Sequence, residues 1–356
     1  MTVGRVSPAQ RAAAEALLGR TAGRGRSFSV SLRELELVLQ RAGAAPDLPS
    51  AIAHLSGPLA DPRAERAAAE ARWDSVFAAA ADWAAARRLS PWLEELARDG
   101  TLKRVAGGEP ASASTLLADA RRVIDQLPGR GQSLSALAAS TVGDAHALDP
   151  GRPLGAVVRR AARHLGGVAD EADDEGLRSL WAGVGILVGG AVTATVLTLG
   201  LPAAGSRPTA RSLQVLGEAG EPVWLTLRQL LRDPPGWQVG GCPVFVCENP
   251  AVVAEAADVL GRGCRPLICT HGRPGAAVTT LLRALQGAGA TLRYHGDFDW
   301  PGLAIGNQII TRYGAQPWRF STADYGAARE GRPLAVDPEE ACWDSPLAPA
   351  MTGRGL

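Results

Sequence analysis

From Thr291 the chain runs through an apolar segment into Tyr294-His295-Gly296-Asp297-Phe298-Asp299-Trp300-Pro301-Gly302, and then into a helix-like stretch, Leu303–Tyr313. An apolar run that ends in two aspartates two residues apart, with Pro-Gly after them, reads as a strand, a turn and a helix start. Upstream, Val244–Cys247 is a second short strand that ends on Glu248, and Leu267–Thr270 is a third, followed by His271-Gly272-Arg273-Pro274. The runs Ala251–Leu260 and Ala276–Leu285 between them are helix-like. Strands alternating with helices predict a parallel βαβαβ sheet with right-handed crossovers. In such sheets ligands sit at the carboxyl ends of the strands. Glu248, the 271–274 turn, Asp297 and Asp299 are therefore expected on one edge.

Those residue types suit a hard divalent cation. Magnesium takes oxygen ligands, keeps several waters and uses one or two carboxylates. In an extended segment, side chains two apart point the same way, so Asp297 and Asp299 can share an ion. Glu248 can ligate a second ion or act as general acid or base. A metal so placed would polarise a phosphate, activate water and stabilise the leaving oxygen. Other metal and phosphate motifs do not fit. A calcium-binding EF-hand loop needs a ligand where Pro301 stands, an aspartyl-phosphatase motif does not place Trp300 after its second aspartate, and no Gly-Lys-Ser/Thr phosphate loop occurs.

The rest of the chain divides by composition. Residues 1–167 read as a mainly helical N-terminal region. Ser31 with Glu34 forms a capping signature before Leu32, Leu35, Val38 and Leu39, and Ala64–Arg88 is an alanine-rich helix. Further helices are expected at Pro91–Leu96, Thr115–Leu127, Leu134–Ala145 and Pro153–Leu165. The acidic run Asp170–Glu175 reads as a solvated turn. Residues 176–235 form a connecting α/β region, for which a winged-helix-like form is one expectation. Pro234-Pro235-Gly236 marks the strongest boundary, and residues 237–356 hold the α/β catalytic candidate.

Composition narrows the setting. A net charge of +1 over 356 residues gives no overall basic field for nucleic acid. Lys103 is the one lysine, so the arginines reflect a coding bias more than phosphate recognition. Five cysteines, an odd number, with Cys247 and Cys269 inside apolar runs, fit buried thiols in a reducing cytoplasm rather than zinc ligands. Leu180–Pro202 carries no charge and is long enough to span a bilayer, but its glycines, threonines and alternating pattern read as a buried helix and strand, so no membrane partner is expected.

Lesser clusters have structural readings. Asp144, His146 and Asp149 lie at a Pro-Gly turn. Arg159, Arg160 and Arg163 are close on one helix and read as a solvated face. Trp300 reads as packing.

The order Glu at one strand, a Gly-x-Pro turn, then D-x-D-x-x-G resembles the Toprim domain, in particular that of the A subunit of type IIB topoisomerases and of meiotic break-making proteins. More closely, CENPAVV, PLICTHGRPGAAV and LRYHGDFDWPGLAI resemble the bacterial Wadjet D-subunit (JetD-like) family. The specific likeness covers residues 240–345, and the helical region, with Gly143–Asp149, resembles that family more loosely. The resemblance implies a Mg2+- or Mn2+-dependent endonuclease subunit acting on double-stranded DNA. Its expected partners are an SMC-type motor complex in plasmid defence and a second copy of itself, in the cytoplasm. By residue, it implies Glu248 as acid/base and metal ligand, Asp297 and Asp299 as metal-binding aspartates, Gly272 and Pro274 as the turn beside the site, and Arg273 or His271 as a phosphate contact. His295, beside the aspartates, reads first as a strand-end histidine with a structural hydrogen bond, and otherwise as a metal ligand or phosphate contact. Only Tyr294, Tyr313 and Tyr325 are tyrosines, none ahead of the Toprim-like region, so hydrolysis is expected rather than a tyrosyl-DNA link. The family's C-terminal region continues beyond the segment that Cys342–Met351 resembles, so a C-terminally shortened chain is also expected. The other reading is a non-catalytic DNA-binding or assembly subunit of the same complex.

Overall fold

A computed structural model describes residues 2–4, 6–19, 27–57, 61–167, 173–190, 192–327, 334 and 337–354. Two compact units result, Met1–Ser75 and Val76–Leu356. The first holds the helices Pro8–Leu18, Leu32–Arg41 and Leu48–Ser56, and a short antiparallel pair, Thr2–Gly4 with Ser27–Ser29. Ser31 caps its helix as the sequence requires, its Oγ accepting the Glu34 N–H at 3.4 Å.

The second unit begins within the helix Pro62–Ala86 and continues through Ser90–Arg98, Thr101–Val105, Pro110–Ile124, Leu134–Val142, α1 (Pro153–Gly166) and α2 (Asp174–Gly183). In α1, Leu154, Val157, Val158, Ala161 and Ala162 are buried at helical spacing. The buried Trp92 indole donates to the Val157 carbonyl at 3.1 Å, fixing Ser90–Arg98 against α1. The arginines of α1 turn to protein rather than to solvent. Glu95 accepts from Arg163 at 2.6 Å and from His164 at 3.0 Å, and Arg160 reaches Asp99 at 3.0 Å.

The acidic run before α2 is partly structural. Residues 170–172 lie outside the described residues. Asp173 caps α2 by accepting the Gly176 N–H at 2.6 Å. Glu175 pairs with Arg178 and also accepts the backbone N–H of Ala276, a hundred residues later. This corrects the expectation of a solvated turn.

The core of the unit is a six-stranded sheet. Its strands are β1 (Thr195–Leu199), β2 (Val223–Thr226), β3 (Pro243–Cys247), β4 (Leu267–Cys269), β5 (Thr291–His295) and β6 (Gln316–Pro317), in the spatial order β6-β5-β3-β4-β1-β2. The strands β6, β5, β3 and β4 are parallel, as the alternating pattern predicts. The sheet as a whole is mixed, because β1 runs antiparallel to β4 and β2 antiparallel to β1. The region 176–235 thus supplies two strands to the same sheet.

Parallel strands need crossovers, and α3 (Pro250–Leu260), α4 (Ala276–Gly287) and α5 (Trp300–Tyr313) provide them. Alternation sorts the faces. Val244, Val246, Leu292 and Tyr294 join the main core with α4 and α5, while Cys247, Cys269, Leu267 and Phe245 meet α3 on the other face. Leu180–Pro202 resolves into the end of α2, the short strand Ile186–Leu187, and β1. Among the described residues no helix is long and apolar enough to cross a membrane.

Candidate metal centre

Sheet register brings Glu248 and Asp297 together. Tyr294 pairs with Val246 and His295 with Cys247 across β5 and β3, so Glu248 and Asp297 emerge one and two residues beyond the last pair. The Asp297 backbone N–H points at Glu248 Oε2 at 3.4 Å. Thr270, which ends β4, is buried and donates its N–H to the Cys247 carbonyl at 2.8 Å. All three carboxylates therefore stand at the carboxyl edge of the parallel strands.

Asp299 is divided between this edge and α5. It is the N-cap, and its Oδ1 accepts the Gly302 N–H at 2.7 Å. Pro301 follows in the first turn, where its missing N–H costs nothing. Gly302 permits the close turn, since a Cβ there would collide with the Asp297 carbonyl oxygen and lie 3.0 Å from Asp299 Oδ1. Trp300 is buried in the main core, in agreement with its packing role.

The electrostatics of the edge are those of gathered negative charge. Burial raises the Glu248 carboxyl above its ordinary range. The Asp297 N–H opposes this, and the charges of Asp297 and Asp299 reinforce it. Asp297 is raised by burial and then by Asp299, with His295 partly offsetting. Among the described residues no arginine or lysine forms an ion pair with any of the three. Oxygen donors, mutual repulsion and no basic partner are the setting a hard divalent cation neutralises. The side chains do not close into a cage, however: among the described residues no three His, Cys, Asp or Glu groups converge closely enough to enclose an ion. The cap bond of Asp299 gives the physical reason, since it turns that carboxylate toward α5.

His295 Nδ1 faces the carbonyls of Trp318 and Arg319 at 3.2 and 3.0 Å, and so carries its proton there. Its ring sits among Phe298, Trp318 and Phe320, and Nε2 keeps its lone pair when the ring is neutral. His271 has φ of 54° and Gly272 of 81°, which makes the tight turn after β4. The His271 ring meets Trp224 edge-on at 6.3 Å, and Arg273 is exposed. Pro274 is buried, and the Glu175 carboxylate holds the start of α4 immediately behind this turn.

The remaining clusters serve structure. His146 Nδ1 meets Asp149 at 2.8 Å, and Asp144 accepts the His146 N–H at 2.9 Å, closing a turn. Cys247 and Cys269 lie in register on neighbouring strands, both buried. The Cys269 thiol beside it, and then burial, push Cys247 far above its ordinary range. Sequence reasoning missed Glu175, Trp318 and Arg319. The adjacent Trp-Arg pair after Gln316-Pro317 was the available signal for the last two.

Helices on the N-terminal side and a mixed α/β sheet with an acidic carboxyl edge define a two-part chain. Two family descriptions cover the sequence in succession, the first extending through β1 of the sheet. "Protein of unknown function N-terminus" (DUF3323) matches residues 1–203, and "Protein of unknown function C-terminus" (DUF2399) matches residues 223–356. The chain belongs to the DUF3323 family and carries the DUF2399 region after it. No curated protein matches it.

Proposed function

We propose that this protein is a metal-dependent endonuclease subunit that hydrolyses phosphodiester bonds of double-stranded DNA, with a C-terminal region of Toprim type. The observation that carries the reading is the register that sets Glu248 and Asp297 side by side at the carboxyl edge of the parallel strands, with the charge of Asp299 near both and no arginine or lysine paired to them among the described residues. Glu248 and Asp297 would hold Mg2+ or Mn2+, with Asp299 completing the set. The ion supplies a polarised phosphate and an activated water.

The chain's own groups do the rest. A half-buried Glu248 whose pKa is raised holds a proton more readily than a free glutamate, which suits a group that exchanges protons with water or a leaving oxygen. The exposed His271 and Arg273 stand at the neighbouring turn to meet phosphate oxygens, with Gly272 allowing the backbone to approach. His295 lies near Asp297, with Nδ1 fixed on backbone carbonyls.

The succession of the two families along one chain agrees with a Wadjet D-subunit (JetD-like) assignment. On that assignment the protein works in the cytoplasm beside an SMC-type motor in plasmid defence. A homodimer follows, because cutting both strands requires two sites.

The test is conversion of supercoiled plasmid by purified protein with Mg2+ or Mn2+, alone and with the motor complex, alongside Glu248→Ala and Asp297→Ala. Nicking or linearisation abolished in both variants supports the reading. Absence of cleavage with the motor present leaves the alternative, a non-catalytic DNA-binding or assembly subunit.

A further inference from the structure

We infer that Trp318 and Arg319 form a platform that holds an unpaired nucleobase and its phosphate beside the carboxylate edge. The inference rests on the nuclease reading and adds which part of the substrate the protein grips. An edge of three carboxylates repels a polyanion, and a net charge of +1 gives no general attraction to overcome this. A local element has to hold the strand.

Trp318 stands one residue past β6. Its backbone N–H donates to the Tyr294 carbonyl at 2.8 Å, which places the residue opposite His295, itself two residues before Asp297. The residue is 36% exposed. It meets Phe245 edge-on at 4.9 Å and His295 edge-on at 6.2 Å, which braces it. The Arg319 guanidinium lies 5.1 Å from the indole centroid. Arg319 has φ of 51°, a conformation a non-glycine residue adopts only where its surroundings impose it. His295 Nδ1 donates to the Arg319 carbonyl at 3.0 Å. One histidine thus ties the platform to the site.

Beyond the indole runs a groove of about 310 Å³, lined by Phe245, Val252, Ala256, Leu260, Arg265 and Trp318 among others. It lies on the sheet face that α3 covers only in part. Arg265 is its one charged lining residue, and no carboxylate lines it among the described residues. A flat aromatic ring, apolar walls and arginines at the rim complement a ligand with flat apolar faces and a negative backbone. An unpaired nucleotide has that chemistry. Stacking on an exposed aromatic tolerates any base, and arginine meets phosphate in a planar fork.

The test uses the full chain in EDTA, titrated with a short single-stranded oligodeoxynucleotide and with a duplex bearing one unpaired 2-aminopurine. Quenching of 2-aminopurine by wild type and by Trp318→Phe is expected. Trp318→Ala, checked for folding by circular dichroism, loses the quench and binds about ten-fold more weakly. Arg319→Gln keeps the quench and shows a shallower salt dependence. A folded Trp318→Ala that binds and quenches like wild type overturns the inference. So does a wild type that binds no oligonucleotide while Trp318→Ala dissociates a dimer in sedimentation, which assigns the groove to a protein contact. The two readings fail separately: Trp318-dependent quenching without any cleavage sinks only the nuclease, and cleavage with no Trp318-dependent binding sinks only the platform.

Discussion

The backbone N–H of Asp297 faces Glu248 Oε2 at 3.4 Å, across 49 residues of sequence. That contact holds one carboxylate in place for another that repels it. The neighbouring negative charges disfavour the charged state of both side chains, as burial does, while the N–H alone favours a charged Glu248. Such repulsion is the stability cost that the proposed metal site would carry without its ion.

Asp297→Asn is therefore expected to stabilise the apo protein at neutral pH, raising Tm by roughly 1–3 °C. The sign follows from the raised pKa. A group more basic in the native state than in the unfolded one stabilises fully below its unfolded pKa, and that contribution is lost as pH rises through the folded value. The gap between variant and wild type should thus be widest near pH 8 and close on acidification. Thermal unfolding in EDTA across that range measures it, and a destabilised variant at neutral pH would count against mutual repulsion.

Glu95 has the opposite sign. Burial would raise its carboxyl, but the hydrogen bonds from His164 and Arg163 outweigh this and hold it low. Its contribution is present above the ordinary carboxylate pKa and fades as pH falls through the depressed folded value. Glu95→Gln should cost about 1 kcal/mol at neutral pH in chemical denaturation, and the loss should shrink in acid. DNA binding should be unchanged, because Arg160 and Arg163 face Glu95 and Asp99.

Gly302→Ala should cost about 1–3 kcal/mol through forced movement of the Asp297–Asp299 turn, and should lower cleavage as well. Gly287, at the end of α4, has open space where a Cβ would sit. Gly287→Ala is the matched control, expected to be neutral or stabilising by up to about 1 kcal/mol. Equal stability losses in both variants would remove the argument from the Asp297 carbonyl.

Much of the fold was legible because local pattern decides it. The strands at Glu248 and Asp297, the helices between them, and the cap at Ser31 follow from periodicity and from side chains that bond their own backbone. Strand direction does not. β1 and β2 were recognisable as apolar segments, yet an alternating strand reads the same in either direction, and the helix Pro208–Ala219 between them resembles a parallel crossover. The site was legible in its carboxylates, which sit at element ends. Its supports were not. Glu175 reaches Ala276 across 101 residues, and His295 meets Trp318 and Arg319 across 23 and 24. Such bonds depend on how elements pack, and nothing in local spacing encodes them. The cap role of Asp299 was readable from Asp-x-Pro-Gly, and the metal pattern masked it.

Glu248, Asp297 and Asp299 are the proposed ligands of a divalent cation. The direct measurement is thermal unfolding with increasing Mg2+ or Mn2+, comparing wild type with Glu248→Gln and Asp297→Asn. Binding to the native state alone stabilises by about 2.7 kcal/mol at a hundred times Kd. Wild type should gain several degrees in a saturable way, and both variants should gain little. A wild type whose Tm does not respond to either ion, or variants that respond equally, would contradict the account.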